Sequence, residues 1–186
     1  IDQAVADVFG FHALQLGLPQ LDALRANQMP HRWVAQDSLL VPPRADLPAP
    51  LESITTQSPS DPVALHCDFD ALPFPNQSID LLVLPHGLEL ARDPHETLRE
   101  VERVLVPEGR VVIVGFNPAS LWGLRQRRAH LYRKLGFGEL YLPAEGEFIG
   151  YWRLRDWLRL LSFEVETSAF GCWRPSFTTD RWLERF

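Results

Sequence analysis

An α/β fold built on parallel strands is predicted for this 186-residue chain by three observations. Ile79–Leu84 reads Ile-Asp-Leu-Leu-Val-Leu, a nearly continuous apolar run of the kind that marks a strand buried on both faces of a sheet. Val111–Val114 reads Val-Val-Ile-Val and has the same character. Between them lies a helix with a clear start. Asp93 suits the cap, Pro94 the first helical position, and Glu96 can reach back to the cap. A strand, a helix and a second strand of this type form a crossover unit, and such crossovers are right-handed almost without exception.

The other elements follow in order. Ile1–Phe9 reads as part of a helix, and a chain that opens at Ile1 inside a helix is expected to come from a longer one. His12–Leu16 is a short apolar strand, Gln20–Asn27 a short helix and Arg32–Leu40 an extended segment. Residues 42–62 hold Pro42, Pro43, Pro48, Pro50, Pro59 and Pro62, a density that forbids a regular helix, because each proline removes a donor and restricts its predecessor. Val63–Cys67 is a strand. In the helix after Asp93, Leu98, Val101 and Leu105 share one face, while Glu96–Arg99 and Glu100–Arg103 pair on the other. Pro107-Glu108-Gly109 is a turn. Leu154, Trp157, Leu158 and Leu161 form a second helical stripe, and Phe163, Val165 and Thr167 alternate as a strand.

Composition narrows the classes. An apolar fraction of 46% suits one globular domain, 1–186, with a sizeable core. Two cysteines, Cys67 and Cys172, lack zinc spacing and read as reduced core thiols. The six histidines form no metal-ligand spacing, so no metal is expected. No apolar run approaches a membrane span, and no signal peptide is visible, so a cytoplasmic location is expected. The net charge of −6 is unevenly placed. Residues 37–108 carry 13 acids against 4 bases, whereas residues 109–138 carry 6 bases and no acid. A basic block in an acidic protein is a candidate anion-facing surface.

Asp68-Phe-Asp-Ala-Leu-Pro-Phe-Pro-Asn-Gln-Ser-Ile-Asp80 leads into the first buried strand. Leu98-Arg-Glu-Val-Glu-Arg-Val-Leu105, Pro107-Glu-Gly109 and Val111–Val114 complete the block. In order and spacing this block resembles the type 11 methyltransferase domain of the class I S-adenosylmethionine-dependent enzymes. Gly10-Phe-His12, Leu72-Pro-Phe74 and Gly115-Phe-Asn-Pro118 further resemble a bacterial group of methyltransferase-like proteins. The resemblance implies a Rossmann-like class I methyltransferase fold, a mostly parallel sheet with helices on both faces. The cofactor it implies is S-adenosylmethionine, bound at the carboxyl ends of the first strands. The final antiparallel strand of that fold has no counterpart in Gly171–Phe186.

The family's first strand ends in an acid followed by spaced glycines, which let the backbone approach the cofactor. Here the text is Leu14-Gln15-Leu-Gly17-Leu-Pro19-Gln-Leu21. Gln15 stands for the acid and Gly17 alone keeps its glycine. By resemblance, Gln15, Gly17, Asp37, Asp68 and Phe69 are the cofactor-binding candidates. Asp37 matches the acid that binds ribose hydroxyls, and Asp68 with Phe69 matches the adenine-binding pair. Bland roles compete: Gly17 and Asp68 as turn residues, and Asp37 as a cap.

His86 and Asn117 are the candidates that would face the unknown methyl acceptor. His86 follows the strand whose end faces the donor methyl in this fold, where a histidine can serve as general base. Asn117 lies beyond the next strand, and a simple turn explains it equally well. Residues 119–151 are a lid-like insertion. Arg125, Arg127 and Arg128 within it suit nucleic acid, another acidic partner or an anionic surface. A solvated helix face explains them as well. The eroded loop also motivates a second reading, a non-catalytic methyltransferase-like module that binds a protein or nucleic acid through this basic insertion. A nicotinamide-dependent enzyme would need G-x-G-x-x-G after the first strand, which is absent.

Overall fold

The computed structural model describes residues 1–37, 63–120 and 148–171. The chain divides into two compact units, Ile1–Val114 and Gly115–Phe186. The first holds α1 (Asp2–Ala6), β1 (His12–Leu16), β2 (His31–Gln36), β3 (Leu65–His66) and β4 (Ile79–Pro85). It continues with α2 (Gly87–Leu90), α3 (Pro94–Val104) and β5 (Leu105–Val114). The five strands are all parallel, in the order β3-β2-β1-β4-β5. The α/β class and the parallel sheet are as the sequence predicts.

That order reverses direction between β1 and β4. A crevice opens beyond the carboxyl ends of the strands at such a switch point, because the connections there leave in opposite directions. The two central strands are the most buried. Ala13, Leu14 and Leu16 of β1 and Leu81–Leu84 of β4 have no measurable exposure. Alternate residues point to opposite faces of a strand, so β4 is covered on both. On one face Ala13, Leu81 and Val83 pack with Val5 of α1, with Val8 just after it and with Ala23, Leu24 and Met29 of the β1–β2 connection.

Helix α3 forms as its sequence dictates. Asp93 is extended, and its carboxylate accepts from the backbone N–H groups of His95 (2.9 Å) and Glu96 (3.2 Å). Leu98, Val101 and Val104 are fully buried. Arg99–Glu96 and Arg103–Glu100 pair as expected. The helix runs directly into β5. Opposite Ile79 and Leu81 the register jumps from Leu105 to Arg110, so Pro107-Glu108-Gly109 bulges out inside the strand. Glu108 there takes the left-handed φ of 65°.

Arg103 fastens the Leu72–Asn76 segment to α3. Its guanidinium donates to the carbonyls of Leu72 (2.9 Å) and Phe74 (2.9 Å), to the Asn76 Oδ1 (2.7 Å) and to Glu100. Glu100 in turn accepts from the Leu72 N–H at 2.9 Å. The Arg103 hydrogen bond holds the Glu100 carboxyl below the usual carboxylate range, against a smaller opposing effect of burial. A carboxyl lower in the folded chain than in the unfolded one adds stability above its unfolded value, and that share disappears as pH falls through the folded one. Arg103→Ala is therefore expected to cost about 2–3 kcal/mol in urea unfolding near neutral pH. The difference from the unmodified chain should shrink as the solution is acidified.

Two sequence expectations fail locally. Gln20–Asn27 forms turns rather than a helix, held by side-chain bonds. The Asn27 amide donates to the carbonyls of Val5 (2.8 Å) and Val8 (3.1 Å) and accepts from the Met29 N–H. In the second unit the Leu154–Leu161 stripe becomes α4 (Tyr151–Leu160), but Phe163–Ala169 forms no strand. Its alternating pattern has no ladder partner among the described residues. Within those residues no helix is long and apolar enough to cross a membrane.

Candidate functional site

β1, β2, β3 and β4 all end at one edge of the sheet, and the residues just past those ends form the site. After β1 the chain must turn at once, and Gly17 does so with φ 89°. Its N–H donates to the Ala35 carbonyl of β2 at 2.8 Å. A Cβ on Gly17 would stand 3.6 Å from the Gly87 Cα and 3.8 Å from the Phe69 ring. The turns after β1 and β4 and the segment after β3 therefore meet around this one glycine.

Gln15 is fully buried, and its side chain explains how a loop with a single glycine keeps its shape. Its Nε2 donates toward the carbonyls of Gly17 (3.0 Å), Leu18 (3.0 Å) and Leu21 (2.7 Å). Its Oε1 accepts from the Ala23 N–H at 2.9 Å. Three carbonyls at one end and an N–H at the other fix which way the amide points. The two hydrogens of one inward amide, shared among three loop carbonyls, thus tie the loop to β1. The role expected from sequence was direct cofactor contact; in the structure the polar atoms of Gln15 are committed to the loop.

Asp37, Asp68 and Phe69 line one small cavity of about 50 Å³. Asp37 follows β2 and is buried; Asp68 follows β3 and is exposed; Phe69 is buried. Asp70, Arg92, Asp93 and Thr97 complete the lining. The sequence singled out Asp93 only as a cap. It reaches the cavity because α3 begins just beyond the end of β4, a placement the strand–helix spacing already contains. Cys67 lies beside the same group. Burial first, then the charges of Asp37 and Asp68, push its thiol up to about 11. It is a free, protonated core thiol, as expected; Cys172 lies outside the described residues.

His86 stands directly past β4, with its backbone N–H donating to the Val114 carbonyl of β5 at 2.8 Å. It takes φ 57° and ψ 12°, a left-handed conformation unusual for a side-chain-bearing residue. Its Nδ1 lies 2.6 Å from Glu89 Oε2. Glu89 is buried on α2 and was not singled out by sequence, although the i, i+3 spacing from His86 carries the signal. Asn117 belongs to the second unit, where its Oδ1 accepts from the Ala119 N–H at 2.9 Å and closes a turn. Arg125, Arg127 and Arg128 lie outside the described residues.

Residues 46–113 match the family described as a methyltransferase domain. The chain is 41% identical over 104 residues to the uncharacterized protein YafS of Escherichia coli (strain K12), spanning 56% of this chain and 40% of YafS. It is 36% identical over 132 residues to the malonyl–acyl-carrier-protein O-methyltransferase of Halorhodospira halophila, spanning 60% of this chain and 45% of that protein. The chain thus spans less than half the length of these curated relatives. Among solved structures, it resembles an S-adenosylmethionine-dependent methyltransferase from Thermotoga maritima, described as a possible histamine N-methyltransferase. The TM-score is 0.60 at 16% identity, covering 88% of this chain and 70% of that one. At that identity the likeness speaks for the fold, which is the Rossmann-like class I methyltransferase fold.

Proposed function

We propose that this chain, with its methyltransferase-domain match in a class I methyltransferase fold, is an S-adenosylmethionine-dependent methyltransferase. The observation that carries the reading is the meeting of Gly17, Asp37, Asp68 and Phe69 at the switch-point edge of the sheet, three of them around one cavity. These residues fit the donor in kind. A buried carboxylate after β2 suits a ribose diol, a carboxylate and an aromatic ring after β3 suit adenine, and Gly17 admits close backbone approach. The cavity of about 50 Å³ is far below the roughly 300 Å³ at which ligand pockets begin. Binding therefore has to part its walls.

The bound donor supplies a methyl carbon made electrophilic by a sulfonium. What the chain contributes is position and one proton site. Asp37, Asp68 and Phe69 hold the nucleoside end, and Gln15 keeps the Gly17 turn in shape beside it. His86 accepts the proton of the attacking nucleophile as the new bond forms. In-line placement of this kind is the main requirement for such a transfer. The acceptor is proposed only as a nucleophile that loses a proton. The six bases and no acids of residues 109–138 support an acidic or nucleic-acid character for it or for a partner, through Arg125, Arg127 and Arg128. The few cysteines and the free Cys67 support a cytoplasmic setting.

Calorimetry tests the reading without knowledge of the acceptor. S-adenosylmethionine and its demethylated product should both bind, and Asp37→Ala should weaken each about tenfold or more, the loss of a charge-assisted contact. If neither ligand binds at millimolar concentration, the reading fails, and the non-catalytic module takes its place.

A further inference from the structure

The turn between β4 and α2 is built at some cost. His86 holds the left-handed conformation, which crowds its Cβ against the backbone. Gly87 follows because a Cβ there would stand 2.9 Å from the Leu16 carbonyl. The β4 end is thus pressed against the end of β1, and His86 is set beside the Gly17 turn. Glu89, one helical turn on, is 7% exposed, and a carboxylate so buried requires donors. The His86 ring supplies one, with Nδ1 2.6 Å from Oε2, a close contact for a nitrogen donor on a carboxylate.

We infer that Glu89 is a positioning residue: its carboxylate accepts the Nδ1–H of His86 and so fixes both the ring's orientation and its tautomer. The inference rests on the methyltransferase reading and names a partner for its proposed base. With Nδ1 committed to Glu89, a proton taken from the acceptor lands on Nε2. The resulting imidazolium keeps its bond to Glu89, and the negative carboxylate balances the charge that appears. The partner that orients an imidazole also decides which nitrogen reacts. A one-turn helix with a buried acid at i+3 is an economical way to provide it.

The test uses the full chain with ring-15N histidine and multiple-bond proton–nitrogen spectra at mildly alkaline pH. His86→Gln identifies the His86 signals by their loss. The expected result is a neutral His86 ring protonated at Nδ1 and unprotonated at Nε2. Glu89→Leu should abolish that preference while the remaining histidine signals stay in place. A ring protonated at Nε2 in the unmodified chain overturns the inference without need of any variant. An unchanged tautomer in a folded Glu89→Leu protein overturns it as well. A second arm adds the demethylated donor product, S-adenosylhomocysteine. Calorimetric binding accompanied by movement of the His86 ring signals supports the inference. Binding that leaves His86 unmoved overturns the inference and spares the methyltransferase reading. Absence of binding removes the reading and the inference together, even with the tautomer in place.

Discussion

Gln15→Glu is expected to destabilise the chain by about 3–5 kcal/mol at neutral pH, the scale for an uncompensated buried charge. The substitution restores the acid that the related first strand carries, and a comparison of sequences alone would rate it benign. The structure argues the opposite. The position of Nε2 faces the carbonyls of Gly17, Leu18 and Leu21 at 2.7–3.0 Å, and the side chain is fully buried. A carboxylate oxygen there would meet the three acceptors toward which Nε2 now donates. The folded variant would have to carry a proton on the introduced carboxyl, whose value would rise above the unfolded one. The folded state would then bind the extra proton, and stability would fall as pH rises through the unfolded value toward the folded one. Acidification should therefore recover part of the loss relative to the unmodified chain. Urea unfolding at two pH values checks both the size and the direction. A variant as stable as its parent, with tighter donor binding, would show that Gln15 contacts the donor and does not brace the loop.

The features legible in the sequence are those with local causes. Helix α3 could be bounded within a residue or so because Asp93 and Pro94 act within one turn, and Leu98 and Val101 repeat along one face. Strand β4 is legible because burial on both faces leaves Asp80 as its one polar residue, and β1 because Ala13, Leu14 and Leu16 are apolar around the buried Gln15. The site was legible as a set of strand ends. The resemblance puts the cofactor at the carboxyl ends of the first strands, and in the order β3-β2-β1-β4-β5 Asp37, Asp68 and Phe69 converge there. What escaped depends on contacts distant in sequence or too short to show a period. The Gln20–Asn27 segment has helical composition, yet Gln15 and Asn27 capture its backbone from inside the core. Helix α2 has four residues, barely more than one turn, so no repeated stripe marks it and only the i, i+3 spacing of His86 and Glu89 remains to be read. Phe163–Ala169 alternates like a strand, and alternation records two faces without supplying the neighbour that a ladder requires.

Gly10→Ala should cost about 2–4 kcal/mol, the combined scale of forced overpacking and a lost pair of charge-assisted bonds. A Cβ on Gly10 would stand 2.5 Å from the Asp80 Cβ and 2.6 Å from its Cγ. The Asp80 Cβ is fixed to the backbone of β4, so rotation of the side chain cannot relieve the first contact. Either β1 or β4 must shift. Asp80 is also the acceptor that joins the two strands at this end: its Oδ2 takes the N–H of Phe11 and of His12, each at 2.9 Å. Its displacement would strip two backbone donors of their partner and loosen the start of the β1–β4 ladder that pairs Ala13 with Leu81. That same ladder, followed to its carboxyl end, sets Gly17 beside Gly87. A shift entered at Gly10 should thus weaken donor binding at the opposite edge as well as stability. The pair can be separated by a double-mutant cycle. Asp80→Ala alone removes the acceptor but keeps the Cβ, and the double variant should be less damaged than the sum of the singles, because the acceptor can be lost only once. Strict additivity would mean that the clash, rather than the loss of the Asp80 bonds, accounts for the whole effect of Gly10→Ala.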